Sequence, residues 1–570
     1  MGETMTTAAH LEYREANAEV HIKTIILVIA VNVVYFAQLV NVVGSGAYAR
    51  SISAVVGGEA DIVWLTSVIS ILTVVLSPPV SQATDYWGRK WFLVVLTALG
   101  CVGSIVVSRA DSMAMAIAGF TVTGLSYGAQ PLLHAVTSEV LPRKHRPYAQ
   151  ASVNVSASLG AIFGLLVGGA LTRNNHPNGF RTYWYITAAI YAVGAAACGL
   201  LYNPPPRELQ LSLTLQEKLR KLDWLGYLLL MSGLVLFCLG LSWSQNPYPW
   251  TSARVLATFL VGVVLTVALV IHQWRFKSDG MFHHALFRGR NFVLGVFCIF
   301  CEGITFFAAN NYFAFEVSVF YATDPLTIGL HYTIAFYTFG LFAVVAGLYC
   351  WKTKTVRLPI IVAFLSFVIF DILMATSDAH TPEANIWAYP IFLGLGLGFC
   401  LTALITAAQF SAPVELIAVA SGLLIGVRSL GGSIGLAIYN AIFNNVLSNN
   451  LGPKIAAAAL PLGLPAESLG PLIGALTAHD NAALAQIPGV NEDIIGAAAG
   501  ALLDAFGLAF RYVWVAAGCF ALLALIASLF ITNPTGDFNA HIDAPVEIDT
   551  IAEIGGEQGS SDKEIQRSVT

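Results

Sequence analysis

The sequence predicts an all-α polytopic membrane protein with about 14 transmembrane helices. Its 570 residues are 56% hydrophobic and only 11% charged, with a mean hydropathy of +0.72, a composition outside the range of soluble globular domains. Apolar runs of the roughly 20 residues that a helix needs to cross a bilayer recur from Lys23 to Thr532. Lys and Arg, in addition, concentrate in alternate connections between these runs. Most of the chain is therefore expected to lie in a lipid bilayer.

The apolar runs predict two six-helix bundles with two helices inserted between them. Six runs begin near residues 24, 62, 91, 114, 151 and 181, two near 224 and 254, and six near 292, 326, 359, 386, 416 and 511. Two bundles around a central cavity are the usual build of a secondary transporter. The predicted regions are a tail (1–22), a first bundle (23–202), a linker with the inserted pair (203–291), a second bundle (292–532) with a long extracellular loop (450–508), and a second tail (533–570).

The distribution of basic residues predicts the orientation of the chain. With the N-terminus in the cytosol, 20 of the 28 Lys and Arg residues fall in cytosolic segments, seven fall outside and Arg428 lies within a span. This asymmetry follows the positive-inside rule, and an even number of spans places both termini in the cytosol. The first apolar run is too long for the core of a cleaved signal peptide. We expect a multi-pass protein of the cell membrane, with the vacuolar membrane as the alternative.

Several classes of function find no support in the sequence. A net charge of -5 with scattered bases offers no stripe for a nucleic acid backbone. The eight cysteines fall in apolar runs and are expected to be buried thiols, so we predict neither a metal site nor a cofactor. A membrane-embedded enzyme is also disfavoured, because His283 and His284 are the only adjacent histidines and neither a G-x-S-x-G elbow nor a P-loop is present.

The connection between the second and third spans interrupts two apolar runs with charge. In "SQATDYWGRK", Ser81, Asp85, Gly88, Arg89 and Lys90 resemble the signature loop of the major facilitator superfamily, with Ser81 in place of its first glycine. In that family the loop latches the two halves on the cytosolic face, and the resemblance implies this role for Asp85 and Arg89. A carboxylate at a half-buried helix mouth can meet an arginine and a helix N-terminus together. An ordinary positive-inside loop is the alternative.

The fifth span resembles the antiporter motif G-P-x-x-G-G of drug-exporting members of that superfamily. Gly164, Gly168 and Gly169 match the motif, whereas Leu165 stands in place of its proline. Glycines four residues apart let helices approach closely, so the resemblance implies a gating role, and plain helix packing is the alternative. In the fourth span Phe120 occupies the place where proton-coupled drug antiporters usually carry an arginine.

Longer segments resemble a particular branch of the superfamily. The phrases "HAVTSEVLPRKHRPYAQ" and "GVRSLGGSIGLAIYNAIFNN", with 14 spans, are similar to the fungal trichothecene efflux pumps, whose relatives include siderophore-iron transporters. Glu139 and Arg146 of the first phrase are then expected to belong to the latch. The resemblance implies a monomeric carrier that exports a small hydrophobic or amphipathic toxin or drug by proton antiport. Uptake of a siderophore-iron complex is the alternative.

Ionisable residues within the spans are the candidate coupling or substrate-binding groups, because a charge in the bilayer is costly unless it is paired or functional. Glu302, near the middle of the ninth span, is the first candidate for a protonatable group, followed by Arg428, Asp371 and Asp61. A packed glutamate and an arginine bonded to helix ends are the alternatives. Neutral polar residues expected to line a cavity are Asn32, Gln38, Gln130, His134, Asn310 and Asn311.

Overall fold

The computed structural model describes residues 22–543 except 59–60, 63, 173–177, 206–207, 244–247, 322–323, 478–480 and 485. The predicted N-terminal tail up to residue 21 and the second tail beyond residue 543 lie outside this part of the chain. The principal helices are α1 (Ile22–Val56), α2 (Trp64–Trp87), α3 (Lys90–Ser108), α4 (113–139), α5 (Arg146–Thr172), α6 (Gly179–Leu201), α7 (Trp224–Trp243), α8 (Ala253–Ile271), α9 (Arg290–Ala308), α10 (Pro325–Thr353), α11 (Arg357–Ala375), α12 (Pro390–Ser411), α13 (Ile417–Ala459) and α14 (Glu492–Ser528).

Within the described residues, the number of long helices agrees with the 14 predicted spans. Thirteen of them are long and apolar enough to cross a bilayer. The remaining one, α4, consists of Met113–Gly124 and Gln130–Glu139 joined by a 3-10 turn at Leu125–Ala129. Another irregularity follows α9, which continues through a π-helical turn at Ala309–Phe313. Such turns leave the regular backbone ladder and are frequent at functional sites.

Helices α1–α6 form one half and α9–α14 the other, while α7 and α8 pack against each other as an inserted pair. The rings of Phe237 and Phe259 stack with centroids 5.4 Å apart, and Gly262 lies so close to α7 that an added Cβ would be 2.3 Å from the Phe237 amide nitrogen. The Tyr227 hydroxyl donates a 2.6 Å hydrogen bond to Gln82 of α2. The inserted pair therefore rests on α2 of the first half.

Several connections share one end of the molecule. Lys90 donates a hydrogen bond to Asn203 after α6, and Asn291 bonds Thr532 beyond the end of α14. We call this end the basic face; it comprises the connections 88–89, 140–145, 202–205, 208–223, 272–289, 354–356 and 412–416 and residues 529–543. Its described residues include ten of the 20 basic residues that the sequence predicted to be cytosolic, and none of the seven predicted to lie outside.

The two halves are packed together at the basic face. Along the α5–α10 contact, an added Cβ at Gly347 would lie 2.9 Å from the Ala151 side chain. At the α2–α13 contact, an added Cβ at Gly422 would lie 2.2 Å from the Ser81 hydroxyl. Ala135 of α4 is fully buried in a small cluster with residues of α13. No spare space remains between the halves at these points, so this face is closed.

The described part of the predicted long loop 450–508 is largely helical. Helix α13 continues to Ala459 and α14 begins at Glu492, well before the expected residue 511, with a short helix Leu469–Thr477 between them. A separate apolar cluster built around Leu472, Ile494 and Leu502 holds these extensions together. The segment is rich in Ala, Leu and Gly, and its helices bury their apolar faces against each other outside the main core. The predicted loop is therefore corrected to a helical extension.

The linker after α6 contains two short helices, Glu208–Ser212 and Leu215–Lys221. The second begins with a capping box, in which Thr214 and Glu217 satisfy each other's backbone amides. Its basic residues, Lys218, Arg220 and Lys221, follow that box. The basic stretch of the linker is thus a capped helix on the basic face.

Candidate functional site

A buried ion pair between α9 and α13 is the most concentrated charge in the interior of the second half. The Arg428 guanidinium donates from Nε to Glu302 Oε2 at 2.6 Å and from Nη2 to Glu302 Oε1 at 2.8 Å. The Glu302 side chain is fully buried, whereas 16% of the Arg428 side chain is exposed. Because the pair is bidentate, each charge offsets the desolvation of the other. The guanidinium is the more accessible member of the pair.

Glycines next to the pair set its geometry. An added Cβ at Gly303 would lie 2.1 Å from the Arg428 carbonyl oxygen, and one at Gly431 would lie 2.3 Å from the Phe300 carbonyl oxygen. The backbones of α9 and α13 thus approach closely on both sides of the pair, as small residues allow in membranes. The Phe306 ring covers the guanidinium at 4.8 Å, a favourable cation–π position.

Polar side chains from both halves lie around Arg428. Tyr35, His134 and Tyr332 are close enough to interact electrostatically with its charge. Gln130 donates a 3.2 Å hydrogen bond to the Tyr35 hydroxyl, and the Tyr35 and His134 rings meet edge to face at 5.5 Å. The structure therefore brings Glu302, Arg428, Gln130 and His134 of the predicted set into one region.

Two polar atoms in this region are buried without a hydrogen-bond partner among the described residues. They are Nε2 of His134 and the hydroxyl of Tyr332. The other ring nitrogen of His134 lies 2.7 Å from Oε1 of Gln150. Buried polar atoms are almost always satisfied by protein, water or ligand. These two atoms are therefore available to a bound molecule or water.

The remaining predicted cavity residues lie elsewhere. Gln38 donates to the Ser126 carbonyl at 2.9 Å and is fully buried, so it joins α1 to α4. Asn32 is half-buried, with its Oδ1 unpaired among the described residues. Asn310 and Asn311 are exposed in the π-helical turn after α9.

The two other predicted carboxylates are not part of the central pair. Asp371 of α11 is buried, and neither of its carboxylate oxygens has a hydrogen-bond partner among the described residues. It faces α14, where an added Cβ at Gly518 would be 3.3 Å from the Asp371 Cβ. Asp61 is exposed in the turn before α2.

A second charge cluster lies at the basic face within the first half. The Arg89 guanidinium pairs with Glu139 at the end of α4 and lies 3.7 Å from the Asp85 carboxylate. All three side chains are nearly fully buried. Gly88 has a φ of +88°, which lets the chain turn sharply from α2 into α3 at little cost. Lys90, directly after Arg89, points to Asn203 instead.

Arg146 lies apart from that cluster. Its guanidinium pairs with Asp543, donates to the Gln409 carbonyl at 3.4 Å, and covers the Phe410 ring at 5.1 Å. Gln409 and Phe410 belong to α12 of the second half. Arg146, at the start of α5, therefore bridges the two halves.

A known protein family matches most of this chain. The sequence profile described as Major Facilitator Superfamily matches residues 31–436. The chain belongs to the major facilitator superfamily.

Curated relatives of this major facilitator are fungal transporters. The chain is 26% identical over 402 residues to the MFS-type transporter ucsD of Acremonium sp, with 68% of this chain and 65% of that protein covered. It is 26% identical over 380 residues to the MFS-type efflux transporter ffsH of Aspergillus flavipes, with 66% of each covered. It is also 26% identical over 387 residues to the dehydrocurvularin exporter of Alternaria cinerariae, with 66% of this chain and 65% of that protein covered. The chain spans just under two thirds of the length of these relatives. The expected resemblance to fungal efflux members is confirmed.

Among solved structures, the major facilitator proton:xylose symporter XylE superposes with a TM-score of 0.54 at 11% identity, covering 93% of this chain and 98% of that one. At this identity the likeness concerns the fold alone. The all-α major facilitator fold predicted from the sequence is confirmed.

The serine that replaces the first glycine of the family loop has a structural counterpart. Ser81 donates to the Ser77 carbonyl at 2.7 Å and faces Gly422 of α13 in the other half. The larger residue on α2 is thus matched by the smallest possible residue on α13. The close contact between the two helices is retained.

The glycines of α5 lie against different helices. An added Cβ at Gly164 would lie 2.9 Å from Val43 of α1, and one at Gly169 would lie 3.1 Å from Leu326 of α10. Gly168 is buried between them. Helix α5 therefore contacts its own half on one side and the opposite half on the other.

Sequence reasoning missed several buried polar groups. Glu316, fully buried after the π-helical turn, accepts 2.6 Å hydrogen bonds from Ser377 and Trp514. It stands in the same apolar run as Glu302, so a search for every carboxylate within that run would have found it. Gln150 and Gln409, which meet across the halves at 3.4 Å, carry no distinguishing signal in the sequence.

Proposed function

We propose that this chain is a secondary active transporter that exports small hydrophobic or amphipathic organic molecules in exchange for protons. The observation that carries the proposal is the buried, bidentate Glu302–Arg428 pair, which lies beside polar groups of the opposite half. The efflux names of the relatives favour export over uptake. A binding region of aromatic rings with a few polar groups suits organic molecules of this class.

Glu302 is the proton-carrying group in this proposal. When a proton binds its carboxylate, the charge attraction to Arg428 is lost while the guanidinium stays charged. Arg428 then needs another partner, because an unpaired buried charge is costly. A polar group of the opposite half fills that role, and this excludes the substrate until the proton has left Glu302. Proton and substrate thereby occupy the site in turn.

In this proposal the basic-face cluster supports the latch of the closed state from within the first half, and Arg146 supplies the contact between the halves. Asp85, Arg89 and Glu139 hold the mouths of α2, α3 and α4 together, with Gly88 and Lys90 shaping the turn. Arg146 joins the halves, and Gly164, Gly168 and Gly169 let α5 slide between its neighbours. In this proposal the basic face is cytosolic, both termini lie in the cytosol, and the protein resides in the cell membrane.

Reconstituted protein tests the coupling. Proteoliposomes that contain a pH-sensitive dye would be given rhodamine 6G or dehydrocurvularin, and substrate-dependent proton movement would be recorded. Glu302→Gln is expected to lower this movement at least about tenfold, whereas Asp61→Asn, which removes an exposed carboxylate, leaves it unchanged.

A double variant distinguishes a role of the Glu302–Arg428 pair in proton coupling from a purely structural role. Glu302→Gln with Arg428→Gln removes both charges, so no buried charge is left unpaired. If the pair were only structural, this variant would regain proton movement; we expect it to regain stability but not coupling. Proton movement at the parental rate in Glu302→Gln would exclude the assignment.

An uptake assay addresses the alternative. A strain that lacks its own siderophore transporters would express the chain under iron starvation with supplied iron–siderophore complexes. Growth there, without proton exchange driven by the two organic probes, would replace export by siderophore-iron uptake.

A further inference from the structure

We propose that residues 529–543, which we call the C-terminal strap, fasten the two halves together at the basic face and detach from the first half when that face opens. The inference rests on the proposed alternation of the two halves. It concerns a segment that the sequence predicted to be largely a free tail.

One end of the strap is fixed to the second half. It continues directly from α14, and Asn291 at the start of α9 exchanges hydrogen bonds of 2.8 and 2.9 Å with the backbone of Thr532. Asn533 accepts the backbone amides of Val356 and Arg357 at 3.0 Å each. These bonds satisfy amides at the start of α11, which would otherwise lack partners. This anchor is part of the second half.

The other end crosses to the first half. The carbonyls of Asn539 and His541 accept hydrogen bonds from the amides of Lys144 at 2.7 Å and Arg143 at 2.9 Å. Asp543 accepts from Arg143 Nε and Nη2 at 3.0 and 2.9 Å and also pairs with Arg146. The Asp543 side chain is only 1% exposed. Two arginines of the first half are thus held by one carboxylate at the far end of the strap.

The middle of the strap lies against the contact between the two halves at the basic face, which we call the seam. Phe538 is 5% exposed, and its ring centroid is 4.7 Å from that of Phe410 in α12. The Arg146 guanidinium covers the same Phe410 ring. The aromatic pair and the arginine therefore form one packed unit made from both halves and the strap.

Opening the basic face would separate Arg146 from Phe410 and Gln409. Since the strap is bonded to α9 and α11, it would move with the second half. The contacts that must break are then two backbone hydrogen bonds and the ion pairs of Asp543. Asp543 and Arg146 are buried while the face is closed, so their pairing can be given up only when opening lets water reach the released charges. The strap is then a fastening that releases as the face opens.

A cysteine reporter measures opening without any transport assay. Ala135 is fully buried against Ile417 and Ala418 of the other half, so Ala135→Cys reacts with a water-soluble maleimide only when the seam opens. Labelling of that residue would be followed by peptide mass spectrometry in the full chain. Adding Asp543→Asn is expected to raise the labelling rate at least about fivefold. Glu415→Gln, which removes an exposed carboxylate on the same face, is the matched control and leaves the rate unchanged.

Two engineered disulfides test whether detachment is required. Lys144→Cys with Asn539→Cys would join the strap to the first half, while Asn291→Cys with Thr532→Cys would join it to its own half. Under oxidation, we expect the first pair to lower proton-coupled transport at least about tenfold and to regain it with reductant. The second pair should transport at the parental rate.

The outcomes are distinguishable from failure of the proposed function. If the cysteine of Ala135→Cys is labelled at the same rate with and without Asp543→Asn, the strap does not hold the two halves together. The inference is then wrong, whether or not the protein transports. Full transport by the oxidised seam-crossing disulfide would equally overturn it. If the parent transports neither probe but Asp543→Asn still raises labelling, the proposed function fails while the strap as a fastening stands.

Discussion

Charged side chains at the centre of the protein and at its basic face differ in how many partners each charge has. At the centre, Glu302 and Arg428 form a closed bidentate pair inside the second half. At the basic face, Arg89 is shared between Asp85 and Glu139, and Asp543 is shared between Arg143 and Arg146. A one-to-one pair is sensitive to a single proton, whereas a shared arrangement keeps one contact when another breaks. In the proposed mechanism the central pair is the switch, and the shared contacts of the basic face are the fastening.

The largest effect is expected at the central pair. Arg428→Leu leaves the fully buried Glu302 unpaired, so we expect a loss of about 3–5 kcal/mol in unfolding free energy. The thermal unfolding midpoint in detergent measures this loss. Glu302→Gln with Arg428→Gln should recover most of it, and a near-parental midpoint for Arg428→Leu alone would mean that Glu302 is neutral or otherwise satisfied.

A smaller effect is expected for the shared arginine of the basic face. Arg89→Gln removes the charge between Asp85 and Glu139 and should cost about 2–3 kcal/mol, less than Arg428→Leu because the Gln amide can still donate a hydrogen bond to a carboxylate. The same thermal midpoint applies. Lys90→Gln, a neighbouring and half-buried position, serves as the control. A larger loss in Arg89→Gln than in Arg428→Leu would reverse the comparison.

The contact between α2 and α13 should respond to volume. Gly422→Ala places a methyl group against the Ser81 side chain, and such overpacking typically costs about 1–3 kcal/mol. Combining it with Ser81→Gly is expected to restore part of the lost stability, because the Ser77 carbonyl still lies 2.9 Å from the new Cβ position. Double-mutant analysis of the unfolding midpoints checks the coupling. Additive losses would show that the two residues do not share the contact.

The smallest effect is expected at the linker helix Leu215–Lys221. Thr214→Ala removes the capping box, so the amides of that helix should exchange with deuterium a few times faster while transport is unchanged. The hydrogen bonds from Thr214 lower the pKa of Glu217. The cap is therefore complete above the ordinary glutamate pKa and is lost as the pH falls through the lowered value. Unchanged exchange in Thr214→Ala would mean that other contacts hold the helix.

The sequence predicts the start of most helices accurately, but not the start of α14. Thirteen predicted starts agree with the structure within a few residues, because apolar runs with polar ends reflect the thickness of a bilayer. The start of α14 at Glu492 was missed, since its first turns are rich in Ala and Gly and pack against α13 instead of lipid. Composition does not distinguish a helix that continues beyond the membrane from a loop.

At the candidate site, too, the sequence predicted the residues but not the contacts between them. Glu302 and Arg428 were each recognised as charges within apolar runs, yet they are separated by 126 positions in the chain. Their pairing depends on Gly303 and Gly431, which bring α9 and α13 into backbone contact. The sequence also left Gln38 among the cavity residues, although it is bonded within the α1–α4 contact.

By itself, the sequence determined the membrane class, the number of spans, the family and the residues whose charge is out of place in lipid. These properties follow from local composition and short motifs. They can be predicted from the sequence because apolar residues are favoured in the bilayer and charges there are costly. The tertiary structure alone decided which charges pair, that Gly422 accommodates Ser81, and that Asp543 binds Arg143 and Arg146. Those outcomes depend on which helix faces meet, and packing at contact distance is a property of the whole fold.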